Sequence, residues 1–155
     1  MLTENSIAIR GPIGRVFELA AEVTRWPEIL PHYRWVTLIS REGRRRVVEM
    51  AAHRDGIPVK WMSIQEPIPE ENRILFTHIK GPTKGMFVEW TMREEGGLVY
   101  VNITHEFNPP WPIVGPFIAR YIVGGFFVHN IAGKTLARIK QIVEDENKAA
   151  LKKVF

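Results

Sequence analysis

The sequence predicts an α+β fold in which a curved, seven-stranded antiparallel sheet wraps around one long C-terminal helix. Residues 6–10 alternate as a strand and lead into a short helical stretch. Residues 33–107 hold only strand-like runs divided by turn signals, and residues 113–152 carry apolar side chains at helical spacing. Sequential hairpins favour antiparallel pairing, and a sheet with one apolar face has to cover it. The last helix is the element long enough to do so, and the arrangement leaves room for an apolar ligand between helix and sheet.

Taken in order, Ser6 to Arg10 is the first strand, and Gly11-Pro12 ends it while placing proline in the first turn of a helix. Val16, Phe17, Leu19, Ala20 and Val23 then recur at helical spacing. Pro27 and Pro31 bracket a second short helix or turn, and Tyr33 to Ser40 reads as a strand ended by Arg41-Glu42-Gly43. Strands Arg44 to His53 and Pro58 to Glu66 are joined at Asp55-Gly56, a strong hairpin signal. Pro67 to Asn72 is a polar loop, Arg73 to Lys80 a strand and Gly81 to Gly85 a turn. Met86 to Glu94 and Leu98 to Phe107 form the last hairpin around Glu95-Gly96-Gly97. The three prolines of Asn108-Pro109-Pro110-Trp111-Pro112 make a rigid connector.

A chain of 155 residues fits one domain, expected over 1–155, and a domain of this size hides roughly two-thirds of its unfolded surface. Lys and Arg outnumber Asp and Glu by 21 to 17, for a net charge of +4. The bias is mild and scattered apart from Arg41 to Arg46, so no nucleic-acid partner is predicted. Cysteine is absent, which excludes disulfides, thiolate ligands and cysteine nucleophiles. The N-terminus lacks the features of a signal peptide, and no run approaches the roughly 18 apolar residues of a membrane span. Arg120 and His129 interrupt the nearest candidate, residues 113–131. A cytoplasmic location is the expectation, with transient membrane contact left open and the oligomeric state set at monomer or homodimer.

The strand period of two sorts side chains by face. It turns Met86, Val88 and Trp90 inward, with Val99, Val101, Ile103, His105 and Phe107 from the last strand and Val59, Trp61, Ser63 and Gln65 from the fourth. Phe76 and His78 pair inward. Met50, Ala52 and Arg54 follow if apolar residues decide the face of their strand, and either Tyr33 or Trp35 joins them. The helix contributes Phe117, Tyr121, Gly125, His129, Ala132, Leu136, Ile139 and Val143. The interior thus collects more polarity than a packed core requires. A buried polar group without a partner costs on the order of 1–3 kcal/mol, so these side chains need a network, water or a ligand.

Trp26-Pro27-Glu28-Ile29-Leu30-Pro31-His32-Tyr33-Arg34, Ile57-Pro58-Val59-Lys60-Trp61, Gly85-Met86-Phe87-Val88-Glu89-Trp90 and the stretch from Phe126-Phe127-Val128 to Leu136 resemble polyketide cyclase/dehydrase-like proteins of the START and Bet v 1-like (SRPBCC) superfamily. The resemblance implies a helix-grip fold with two short helices after the first strand. It also implies a cavity whose contents differ among members, from poly-β-ketone chains to lipids, sterols, quinones or plant hormones. In the aromatase/cyclases it implies a cavity arginine acting with tyrosine and tryptophan, for which Arg54, Tyr33, Trp35, Trp61 and Trp90 are the nearest candidates.

The expected function is therefore binding, and transport where it occurs, of a hydrophobic small molecule such as a lipid or polyketide-like metabolite. The expected contacts are Tyr33, Trp35, Arg54, Trp61, Ser63, Gln65, His78, Met86, Trp90, His105, Phe107, Tyr121, Gly125 and His129. The alternative is an aromatase/cyclase or dehydratase in which His78 or His105 acts as general base and Arg54 or Tyr33 stabilises an enolate. A third class, a protein-interaction module, would use the Arg41 to Arg46 hairpin. No cofactor is expected, and no metal: His78, His105 and His129 lack a tight ligand spacing. Dinucleotide loops, Walker-type loops and nucleophile elbows are absent from the sequence.

Overall fold

The computed structural model describes residues 2–54, 57–108 and 131–154, the side chains of Arg54, Ile57 and Val154 excepted. Strand β1 (Leu2–Arg10) leads to α1 (Ile13–Ala21), a 3₁₀ turn (Val23–Arg25) and α2 (Trp26–Ile29). Strands β2 (Tyr33–Glu42), β3 (Arg45–Arg54), β4 (Ile57–Ile68), β5 (Arg73–Lys80), β6 (Phe87–Glu95) and β7 (Leu98–Glu106) follow, and α3 (Gly133–Val154) closes the described chain. The seven strands form one sheet in the order β1-β7-β6-β5-β4-β3-β2, every neighbouring pair antiparallel. The expected helix-grip architecture is thus present. The Asp55-Gly56 turn, the proline connector and the first half of the expected helix lie outside the described residues.

Three strand boundaries differ from the sequence reading by more than one residue. Strand β1 begins at Leu2, because its polar start pairs with β7 as far as Leu2↔Glu106. The β2–β3 turn is Gly43-Arg44, with Gly43 at φ +61°, since Arg41 and Glu42 still pair with Arg46 and Arg45. Strand β4 runs through Pro67 to Ile68, where a loop was expected. Its pairing with β3 stops at Gln65, while Pro67 pairs only with Ile74 of β5, so β4 is a sheet edge at Pro67, where proline is tolerated.

The two short helices are fixed by the carbonyls they would otherwise leave bare. An α-helix ends with up to four unsatisfied C=O groups. In α1 the Glu18 carbonyl accepts from the Glu22 amide at 3.0 Å, and the Leu19 carbonyl accepts from the buried indole Nε1 of Trp26 at 2.9 Å. The Ala21 carbonyl accepts from Arg46 at 2.6 Å and from Gln65 at 2.9 Å. Side chains from α2, β3 and β4 thereby converge on one helix end, seating α1 and α2 against the sheet.

Helix α3 is strapped to β1. Lys140 donates to the Ala8 carbonyl at 2.7 Å, and Glu144 accepts from the Arg10 amide at 3.0 Å. Gly11 allows this approach, because a Cβ there would lie 2.4 Å from Val143 Cγ1. Leu136, Ile139 and Val143 are buried against the concave face, joining Ile9, Val99, Val101 and Ile103 of the sheet and Val16 of α1 in one core.

Trp26→Phe keeps most of the apolar bulk and removes the donor to the Leu19 carbonyl. It is expected to lower stability by about 1–3 kcal/mol, the cost of an unsatisfied buried polar group, measured by urea denaturation. A loss below about 0.3 kcal/mol would contradict this capping role.

Candidate ligand site

Between the concave face and the start of α3, aromatic rings meet instead of interdigitating aliphatic chains. Trp26 packs edge-on to Tyr33 with ring centroids 5.1 Å apart, and lies 6.1 Å from Trp90 and 6.5 Å from Phe76. Tyr33 meets Trp61 at 6.2 Å, and Trp61 stacks flat on the imidazole of His78 at 5.9 Å and 2°. These rings, with Met50, Val88, Ile103, His105, Ile131, Ala132 and Thr135, line a cavity of about 40 Å³. A water needs roughly 10–15 Å³ by this measure, so the cavity has room for a few waters.

The polar atoms in this wall are locally organised. Thr135 donates to the Ile131 carbonyl at 2.7 Å. With its proton committed there, its oxygen is left to accept from His32 Nε2 at 3.3 Å, and the Tyr33 hydroxyl also hydrogen-bonds with Thr135. On the other side His78 Nδ1 lies 2.7 Å from Thr83 Oγ1. Thr83 is held under the ring by the β5–β6 turn, in which Gly81 sits at φ +108° with room for no Cβ: one would come 2.8 Å from the Lys60 carbonyl. His105, on β7, pairs with Val88 of β6, which itself pairs with Phe76 of β5.

Burial sets the protonation of these groups. It pushes His78 down to about 3, with His105 adding to the effect, and His105 down to about 4. Burial raises the Tyr33 phenol well above its ordinary range. At neutral pH the cavity wall therefore presents two neutral imidazoles and a neutral phenol, and among the described residues its lining includes no carboxylate, lysine or arginine.

Residues 9–122 match the family described as polyketide cyclase/dehydrase and lipid transport. The chain belongs to this family. It is 27% identical over 109 residues to the granaticin polyketide synthase bifunctional cyclase/dehydratase of Streptomyces violaceoruber, spanning 68% of this chain and about a third (34%) of that relative. Its fold is similar to that of the Zhui aromatase/cyclase from Streptomyces sp. R1128, with a TM-score of 0.83, 19% identity and 97% of both chains covered. It is also similar in fold to a START superfamily protein from Mycobacterium smegmatis, with a TM-score of 0.67, 14% identity, and 91% and 98% of the two chains covered.

Of the contacts expected for a family member from sequence, the structure brings Tyr33, Trp61, His78, Trp90 and His105 together on the cavity wall. Ser63, Gln65, Met86 and Phe107 are buried but stand outside that wall, and Gln65 is committed to the Ala21 carbonyl. Trp35 is a correction. It is 39% exposed and donates to Glu49 on the outer face at 3.1 Å. A bulge at Arg34 is the cause: Tyr33 pairs with Ala52 but Trp35 with Ala51, so the two no longer share a face. The side chain of Arg54, and Tyr121, Gly125 and His129, lie outside the described residues.

Sequence reading missed Trp26, His32 and Thr135. Thr135 sits one position before Leu136 on the apolar stripe with Ala132 and Ile139, so helical spacing could have found it. His32 and Trp26 stood in the tryptophan-proline element, where no periodicity assigns a face. Arg46 was also missed. It shares the inward parity of Met50 and Ala52, and it is 8% exposed because α1 offers it a carbonyl.

Because His78 and His105 are held below the ordinary value of 6.5, the unfolded chain takes up their protons first as the pH falls. The stability present above about pH 6.5 is expected to be lost progressively toward pH 4. Urea midpoints measured from pH 7.5 to 4.5 check this, and the slope is expected to flatten in His78→Gln and His105→Gln. An unchanged slope in both variants would contradict the burial of neutral imidazoles.

Proposed function

We propose that this family member binds a hydrophobic, partly oxygenated small molecule, such as a lipid or a polyketide-like metabolite, between the sheet and α3. One observation carries the reading: the surface under α3 is built of aromatic rings and neutral hydrogen-bonding groups, with no charge among the described residues of the cavity wall. Such a wall suits an apolar ligand carrying carbonyl or hydroxyl groups. Trp61, Trp90 and Trp26 supply stacking area. Tyr33, His78 and His105 orient the oxygens, and Arg54 joins them if its side chain turns inward. Ligand pockets span roughly 300–1,000 Å³, so the cavity of about 40 Å³ has to widen on binding. The seam that yields is the contact of His32 and Tyr33 with Thr135.

Aromatase/cyclase or dehydratase chemistry is the second reading, favoured by two imidazoles and a phenol facing one cavity. In it His105 or His78 takes a proton from a carbon between two carbonyls, and Tyr33 donates to the enolate oxygen. At neutral pH an imidazole held near 3 or 4 is a weak base, since a general base works best near the operating pH. Binding therefore ranks first.

Native mass spectrometry of the purified protein, followed by solvent extraction, is expected to find an apolar oxygenated molecule retained. Reloading into Trp61→Ala is expected to be weaker by about tenfold or more, the scale of one lost aromatic contact. A protein that carries nothing and takes up neither lipids nor aromatic polyketide mimics would contradict binding. Turnover of a poly-β-ketone mimic that drops about 10²–10⁴-fold in His105→Gln would promote the second reading.

A further inference from the structure

On the far side of the His32–Thr135 contact lies a surface hollow of about 490 Å³, lined by Pro31, His32, His53, Lys134, Ala137, Arg138 and Gln141. Four of these side chains are basic or can become so, and none is acidic. Among the described residues no carboxylate forms an ion pair with any of the four. Arg138 is spent partly on neutral acceptors, the Ile29 carbonyl at 2.9 Å and the Gln141 side chain at 2.9 Å. The crowding is felt inside the cluster: burial pushes His32 down to about 4, and Lys134 and His53 push in the same direction. Several arginines elsewhere on the surface are matched with acids, as in Arg15 with Glu146 and Arg73 with Glu89. Lys134 and Arg138, two cations on one concave surface with no acid paired to them among the described residues, repel each other and are relieved by an anion.

We propose that this hollow is an oxyanion site that takes the carboxylate or phosphate end of the molecule whose apolar part enters the cavity. Lys134 and Arg138 stand one turn apart on α3, giving a point charge and a planar fork toward one anion, and His53 closes the opposite side from β3. His32 is shared. Its ring lines the hollow, and its Nε2 lies 3.3 Å from Thr135 Oγ1, which lines the cavity. An anion in the hollow thus sits one side-chain layer from the aromatic wall. This coupling to the interior rests on the binding function proposed above, whereas the oxyanion site stands on the hollow alone.

The test compares decanoate, decyl phosphate and decanol by indole fluorescence, and inorganic phosphate by the backbone amide shifts of residues 132–138. Each is measured in the wild type and in the Lys134→Gln/His53→Gln double variant. Lys134 is exposed and His53 half-buried, so the variant is expected to fold. The charged chains are expected to bind about tenfold tighter than decanol, the scale of a charge-assisted contact. The double variant should lose that advantage while keeping decanol affinity, and phosphate should shift the amides in the wild type alone. The better of the two anions identifies the headgroup as carboxylate or phosphate. Equal affinity for charged and neutral chains, or an advantage that survives in the double variant, would overturn the oxyanion site. Phosphate shifts without binding of any decyl chain would support the site and sink the cavity reading instead.

Discussion

The structure depends on how the segment from Trp26 to Tyr33 bridges the sheet and α3. At one end the Trp26 indole closes the bare end of α1 through the Leu19 carbonyl. At the other, His32 meets Thr135, and the Tyr33 hydroxyl bonds the same residue. Between them the Ile29 carbonyl accepts from Arg138, and the His32 carbonyl accepts from the His53 amide at 3.0 Å. Eight residues with two prolines thereby join α1, β3 and α3. The short length matters: a longer link would leave the rings free to collapse on one another, whereas this one holds Trp26 and Tyr33 at an angle.

That constraint explains why the interior is only partly filled. Aliphatic side chains pack a sheet against a helix to crystal-like density. Rings fixed edge to face leave gaps, and here the gap falls between Trp61, Trp90 and the start of α3. The straps of Lys140 and Glu144 to β1 anchor the middle of α3, so the part near Thr135 is the part that can give way to a ligand. Neutral His78 and His105 fit the same logic, since a charged imidazole in this wall would have to find an anion or admit water.

Most of the fold was legible because alternation in β4, β6 and β7 is regular and the turns are marked by glycine, or between β4 and β5 by proline and Asn72. The inward set Val99 to Phe107 follows from parity alone, including its one polar member, His105, and all five members are buried. Where parity failed, a local backbone event intervened. A single bulge at Arg34 separates Tyr33 from Trp35, and hydrophobicity carries no signal for it because both residues are aromatic. Arg46 and Gln65 were legible by face but not by partner, since the carbonyl they share belongs to a helix that no sequence period places beside them. The basic hollow was invisible for a similar reason: His53 comes from β3 and Lys134 and Arg138 from the last helix, about 80 residues later in the chain.

The central claim is that the aromatic interior under α3, and not the exposed face of the sheet, receives an apolar ligand. The indole N–H resonances test it most directly, because Trp26, Trp61 and Trp90 line the cavity and Trp35 lies outside on Glu49. Titration with a naphthol, followed by two-dimensional NMR, is predicted to shift or broaden the three interior indoles and leave Trp35 in place. Perturbation of Trp35 with the other three unmoved would contradict the account.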